Sequence, residues 1–537
     1  MNSNSLTLEQ KIGQFFFPAV FINDTEENIQ AMEQIIRDFN IGGLTFFHSR
    51  ASAATNYEAK KKVEFNDESY TRLKELVARY QKCAKTPLLI SIDAEWGLAM
   101  RVEKTPQFPY AITLGALSEH QKELIYEVGK QIGLDLKSAG INYNLAPLAD
   151  INNNPNNPVI GYRSFGEDKH KVADFALEYL NGMSEVGVLG CLKHFPGHGN
   201  TNVDSHLGLP VLKETLDELM ENELYPFIKG IEQNVDSIMI GHLAVPALND
   251  GKDTSATLSK AVIQDLLRTK LGYDGLVISD ALNMKSVSDL YDVKGQLEWE
   301  AFNAGNDVLC FTDNIAEGVQ WIKENAELAR IEESLGRIWK CKEKVGLFAT
   351  NNSEVVGLNF EKANQLNAQI AQHSLTNLGD AVSREDFLAA SQENRVAKLS
   401  LYKSTNNNFF VELNKTITGD CIAFENIADF DFDGLYKELE NKDYVVIALF
   451  VPKAKPLSKF EIDDVVFELM SKLLESKKCL VYVFGNPYVL PLITNLTKAQ
   501  RLVIAYQDFP EFQKNAATQF LSVANCEGKL PVKIDIQ

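Results

Sequence analysis

No segment of this chain approaches the roughly 20 consecutive apolar residues that a membrane-spanning helix requires. Cysteine is scarce. The seven in 537 residues stand at Cys83, Cys191, Cys310, Cys341, Cys421, Cys479 and Cys526. None forms a C-x-x-C or C-x-C pair and the count is odd, which argues against a disulfide framework or a zinc knuckle. Most lie in apolar runs, as expected of buried free thiols in a reducing compartment. Positive charge is also short: 53 Lys and Arg face 73 Asp and Glu, a net charge of −20. That balance disfavours nucleic acid and anionic membrane as partners, because phosphates attract basic faces. It places no restriction on a neutral ligand. The first residues, MNSNSLTLEQKIGQFFF, have neither a basic n-region nor a long apolar h-region. The expected location is therefore cytoplasmic, unless an export signal precedes this sequence. No G-x-G-x-x-G or phosphate-loop motif occurs.

What the chain does have is a regular alternation of strand-like and helix-like runs. Its length exceeds one ordinary core, so two domains are expected. Eight apolar runs read as strands: 14–20, 43–47, 88–93, 141–147, 190–195, 237–242, 275–280 and 307–311. Helix-like stretches separate them, at 25–39, 68–82, 118–138, 170–186, 214–233 and 259–270. Uninterrupted apolar strands suit a parallel sheet covered by helices. Eight β/α repeats over about 350 residues predict an α/β fold with an N-terminal (β/α)8 barrel of the TIM type; the alternative is an open doubly wound sheet. An Asn- and Gln-rich stretch, 351–375, reads as a linker leading into a helix. Residues 376–537 alternate again, with apolar runs at 396–402, 444–451, 480–484 and 502–506, and predict a smaller α/β (αβα) sandwich domain.

Reactive side chains gather at the ends of the barrel strands. Asp93, His194, His242 and Asp280 each close one of the runs. In such barrels the chemistry lies on the C-terminal rim of the strands. The densest segment is Lys193-His-Phe-Pro-Gly-His-Gly-Asn-Thr-Asn-Val-Asp-Ser-His206. Asp204 and His206 form an Asp-x-His pair in which a carboxylate can orient an imidazole that both gives and takes a proton near neutral pH. Asp280 ends Gly-Leu-Val-Ile-Ser-Asp. A carboxylate there can capture an oxocarbenium-like centre, or it can simply cap the following turn. Asp93 and Arg101 could grip a pair of sugar hydroxyls. Lys193 and His194 could donate to hydroxyls, and Arg163 is a further possible donor. A metal cluster of His194, His198 and His206 is disfavoured, because the spacing matches no zinc pattern.

Together these segments resemble glycoside hydrolase family 3, and more narrowly its β-N-acetylglucosaminidase branch. The signature K-H-F-P-G-H-G-x4-D-S-H stands intact at Lys193–His206. S-D-A-L-x-M stands at Ser279–Met284, D-x-E-x-G-x3-R at Asp93, Glu95, Gly97 and Arg101, and R-S-F-G at Arg163–Gly166. The resemblance implies a retaining exo-β-N-acetylglucosaminidase, acting on peptidoglycan fragments or chitin-type oligosaccharides. Asp280 would be the nucleophile, and His206 the general acid/base with Asp204 as its partner. Asp93, Arg101, Arg163, Lys193 and His194 would bind the terminal sugar. It implies no cofactor and no metal, and a small carbohydrate substrate as partner, with the oligomeric state left open. Ala94, Trp96 and Leu98 depart from the family's usual D-Q-E-G-G-R-V, which leaves the aglycone open. A phosphorylase with the same nucleophile, a β-glucosidase and a non-catalytic sugar binder are the alternatives. A pure binder would not need a nucleophile.

Overall fold

The computed structural model describes residues 3–53, 65–202, 208–349, 357–426, 432–522 and 526–536. The chain forms two compact units. The first comprises 1–108, 125–160 and 168–363; the second comprises 109–124, 161–167 and 364–537.

In the first unit parallel strands close into a ring of eight. The first strand is split into Phe16–Phe17 and Ala19–Phe21. Pro18 stands at the break and has no N–H to give to a ladder. Gly43–Phe47, Leu89–Ile92 and Tyr143–Asn144 follow in order across the sheet. Tyr143 bridges to Leu189, which leads into Leu192–Phe195. Ser237–Ile240 and Leu276–Ser279 come next, and Ile278 bridges to Val308 at the start of the eighth strand, Leu309–Cys310. The ring shuts where Phe16 pairs with Leu309 and Phe17 with Cys310. Closure decides for the barrel over the open sheet. The strands are buried along almost their whole length, because side chains fill the interior and helices cover the outside.

The helices start and stop where local chemistry dictates. Thr25 caps Glu26–Phe39 by accepting from the Asn28 N–H, and Asn40 ends it in the left-handed region at φ 49°. Ile29 and Ile36 of that helix are buried against the barrel. The stretch 214–233 is two helices rather than one. Thr215 and Glu218 form a capping box on Leu216–Glu221, and Tyr225–Glu232 begins with Pro226 in its first turn. A proline is tolerated there but breaks a helix interior, which accounts for the division. The helix expected over 259–270 is present as Ala261–Lys270, but it is wound as a π-helix.

At the N-terminal end of the strands Asp307 is buried under three arginines. Its Oδ2 accepts from Arg268 Nη2 at 2.6 Å and from the Val277 N–H at 3.0 Å. Its Oδ1 accepts from Ser334 Oγ at 2.6 Å, Arg330 Nη1 at 3.1 Å and Arg337 Nη1 at 3.3 Å.

The second unit is a six-stranded sheet in the spatial order Thr376–Asp380, Arg501–Ile504, Lys478–Phe484, Tyr444–Phe450, Val396–Leu401, Asp420–Phe424. Thr376–Asp380 runs antiparallel to its neighbour, and the other pairs are parallel. Strand alternation feeds two cores. Val445, Ile447 and Leu449 enter one, and Tyr444, Val446, Ala448 and Phe450 enter the other. Helices cover both faces, giving the α/β sandwich. Helix Phe360–Ser374 occupies much of the stretch read as a linker.

Candidate active site

The rim of the barrel assembles charged residues from distant parts of the chain. Asp93 follows the third strand and Lys193 lies on the fifth. Lys193, only 2% exposed, places its Nζ 2.9 Å from Asp93 Oδ1 and 2.8 Å from Glu95 Oε1. Arg101 follows a 3-10 turn at Leu98–Met100 and brings Nη2 to 3.3 Å from Asp93 Oδ2. Its guanidinium stacks 3.8 Å above the Phe47 ring, which fixes its plane. Two cations and two carboxylates thus neutralise one another in a largely desolvated site. Burial pushes the Asp93 carboxyl up, but the Lys193 ammonium and the Arg101 guanidinium outweigh it and hold it below its ordinary range. Asp93 is therefore a charged acceptor at neutral pH, suited to a sugar hydroxyl.

His194, next on the fifth strand, is held by Asp150. The Asp150 Oδ2 lies 2.7 Å from His194 Nδ1, and its Oδ1 accepts from the backbone N–H of His194 at 3.0 Å and of His198 at 2.7 Å. With Nδ1 tied to a carboxylate, Nε2 is the atom His194 can present elsewhere. Asp150 is fully buried. The peptide bonds Lys193–His194 and Phe195–Pro196 are cis.

Asp280 comes directly after the seventh strand. Its backbone N–H bonds the Ile240 carbonyl at 2.9 Å, and its Oδ1 accepts from the Ala281 N–H at 2.7 Å. His242, buried at the end of the sixth strand, donates from Nε2 to the Ala281 carbonyl at 2.9 Å. The carboxylate is therefore oriented by its own backbone, and that backbone is pinned by a neighbouring strand. Asp280 also acts electrostatically on His198, whose ring stands edge-on to His194 at 5.8 Å between centroids.

The structure thus brings Asp93, Arg101 and Lys193 into one ion cluster and fixes His194 and Asp280 on the same rim. Arg163 lies in the 3-10 turn Gly161–Arg163, part of the segment that packs with the second unit. Asp204 and His206 lie outside the described residues. Sequence reasoning passed over Asp150 and gave no binding or catalytic role to His198, to Glu95 of the D-x-E-x-G-x3-R segment or to His242, which it placed on the rim. For Asp150 the available signal was its place at the end of Leu148-Ala149-Asp150, a further carboxylate closing an apolar run. Among the described residues no group of three or more His, Cys, Asp or Glu is arranged to hold a metal ion.

A carboxylate at the mouth of a closed barrel, with a charge-balanced ion cluster on the same rim, is an arrangement that glycoside cleavage can use. Residues 7–341 match the N-terminal domain of glycosyl hydrolase family 3, and the chain belongs to that family. Among its relatives, β-hexosaminidase A of Pseudoalteromonas piscicida is 28% identical over 94% of this chain and 91% of its own length. A solved family 3 β-N-acetylglucosaminidase from a Paenibacillus strain superposes with a TM-score of 0.78 at 25% identity, covering 99% of this chain and all of that one. The β-glucoside phosphorylase BglX shares the fold, with a TM-score of 0.81 at 21% identity over 99% of this chain and 95% of its own.

Proposed function

We propose that this chain is a retaining exo-β-N-acetylglucosaminidase that releases terminal β-linked N-acetylglucosamine, from peptidoglycan fragments or chitin-type oligosaccharides. Asp280 attacks the anomeric carbon and forms the glycosyl-enzyme. His206, oriented by Asp204, protonates the departing glycosidic oxygen and then takes a proton from the water that hydrolyses the intermediate. Asp93, Arg101, Lys193, His194 and Arg163 bind the sugar and hold its anomeric carbon over the nucleophile. The observation that carries this reading is the joint placement of Asp280 and the Asp93–Lys193–Arg101 cluster on one rim of the barrel. The named relatives support the acetamido sugar as the substrate class. The free thiols fit a reducing compartment such as the cytoplasm.

The test compares a chromogenic β-N-acetylglucosaminide with the matching β-glucoside, each in phosphate and in phosphate-free buffer. Preferential release from the acetamido sugar, with free N-acetylglucosamine as product in both buffers, is expected. A sugar 1-phosphate formed only in phosphate would make the protein a phosphorylase, and preference for the glucoside would make it a glucosidase.

A further inference from the structure

His198 is 2% exposed, and nothing in the mechanism above uses it. Its Nδ1 lies 2.6 Å from Thr201 Oγ1. That hydroxyl spends its proton on the His198 carbonyl at 3.0 Å and accepts an amide hydrogen from Asn157 Nδ2 at 3.3 Å. The imidazole therefore keeps its hydrogen on Nδ1 and donates it to Thr201, leaving Nε2 as a bare lone pair. That atom is buried and has no hydrogen-bond partner among the described residues. Buried acceptors are nearly always paired, so an unfilled one in an active site calls for an account. Burial and the neighbouring His194 push the imidazole down to about 4, against the pull of Asp150 and Asp280. The ring is thus neutral near pH 7 and cannot serve there as an acid. What it offers is one oriented acceptor.

Its neighbours say which part of a ligand would meet it. The ring stands edge-on to His194 and within electrostatic reach of Asp280. The anomeric carbon must lie against Asp280 for attack. Of the two ring atoms bonded to that carbon, the ring oxygen carries no hydrogen. The other, C2, bears an N–H in an acetamido sugar and an O–H in a glucoside. We propose that His198 is a substrate-binding residue whose Nε2 accepts a hydrogen bond from the donor on C2 of the sugar held over Asp280. The assignment rests on the glycosidase reading above and deepens it: it names the atom that reads the 2-position. The bond forms only when sugar is present, so its energy goes into holding C1 over the nucleophile.

The experiment uses the full chain, with 4-nitrophenyl β-N-acetylglucosaminide and 4-nitrophenyl 2-deoxy-β-glucoside as probes. His198→Phe keeps the planar ring but removes the acceptor. Its kcat/KM on the acetamido substrate is expected to fall about tenfold to a hundredfold, the loss of one buried hydrogen bond, while the 2-deoxy substrate, which has no donor there, loses less than about threefold. His198→Gln, whose amide oxygen reaches toward the Nε2 position, should restore part of the loss on the acetamido substrate alone. Equal losses on both substrates, or no loss on either, would overturn the proposal. If the unmodified protein turns over neither glycoside, the enzymatic reading fails by itself. Calorimetric titration with N-acetylglucosamine and 2-deoxyglucose then still reads the contact: a preference for the former that His198→Phe abolishes upholds it, and an unchanged preference removes it.

Discussion

Asp307→Asn separates what holds the barrel together from what gives it chemistry. The carboxylate is fully buried, accepts five hydrogen bonds and faces three guanidinium groups. Burial pushes its pKa up, but Arg268, Arg330 and Arg337 outweigh that and hold it below the ordinary value. An amide keeps the shape, removes the charge and turns a donor toward a cation. Breaking a buried ion pair by removing one partner costs about 3–5 kcal/mol. For a first unit of about 340 residues the unfolding entropy is about 0.7 kcal/mol/K, so its melting transition should drop by about 4–7 °C. Scanning calorimetry should show that drop in the transition of the first unit, with the second unit's transition in place. Because the folded carboxyl titrates below the unfolded one, the stabilisation is present above the unfolded pKa near 4 and is lost as pH falls through the folded value. The gap between the two proteins should accordingly narrow below pH 4. Asp307 lies at the opposite end of the strands from Asp280, so kcat/KM measured well below the melting transition should stay within about twofold of the unmodified protein. A shift under 1 °C, or a large loss of kcat/KM in folded protein, would refute the reasoning.

Asp280→Ala should abolish turnover of aryl glycosides while leaving the melting temperature within a few degrees, checked by initial rates and circular dichroism. His206→Ala should impair substrates with poor leaving groups far more than activated ones, since only the former need protonation; a leaving-group series in which all members slow equally would remove the acid role. Asp93→Asn should lower kcat/KM about a hundredfold, through loss of a charged acceptor for a hydroxyl, with a rise in KM as the larger part. Lys342 is buried, held only to about 7, and bonded to Gln14 Oε1 at 2.6 Å. Its folded pKa lies below the unfolded value, so its protonation penalises the fold fully below about 7, and the penalty fades as pH climbs toward 10.5. Lys342→Met should therefore raise the melting temperature more at pH 6 than at pH 9.

Most of the barrel was legible because its strands are apolar on both faces. Gly43–Phe47 coincides with the expected run, whereas Leu89–Ile92 and Ser237–Ile240 stop short of it. Asp93 and His242 belong to the rim rather than to the ladder, and side-chain type does not mark where pairing ends. In the second unit Thr376–Asp380 and Asp420–Phe424 went unread. Both are edge strands and only partly buried; Thr376–Asp380 is largely polar, and Asp420–Phe424 offers only the short apolar run 421–424. The site residues were legible one at a time, as reactive types at strand ends. Their pairing was not: Asp93 meets Lys193 across 100 positions, and Asp150 serves both His194 and His198. Such contacts are made by the turn of the barrel and have no local signature. The seven positions 161–167, which include Arg163, likewise gave no hint that they pack with residues from 364 onward.

The joint between Phe16 and Leu309 also governs how the protein can be made. During synthesis the N-terminal strand emerges almost 300 residues before the only neighbour that can cover its outer edge. For that interval the nascent barrel is a growing half-pipe with two unprotected borders, prone to pair with other chains. Any protein truncated between Asp280 and Leu309 would keep Asp280 yet remain an open, aggregation-prone gutter.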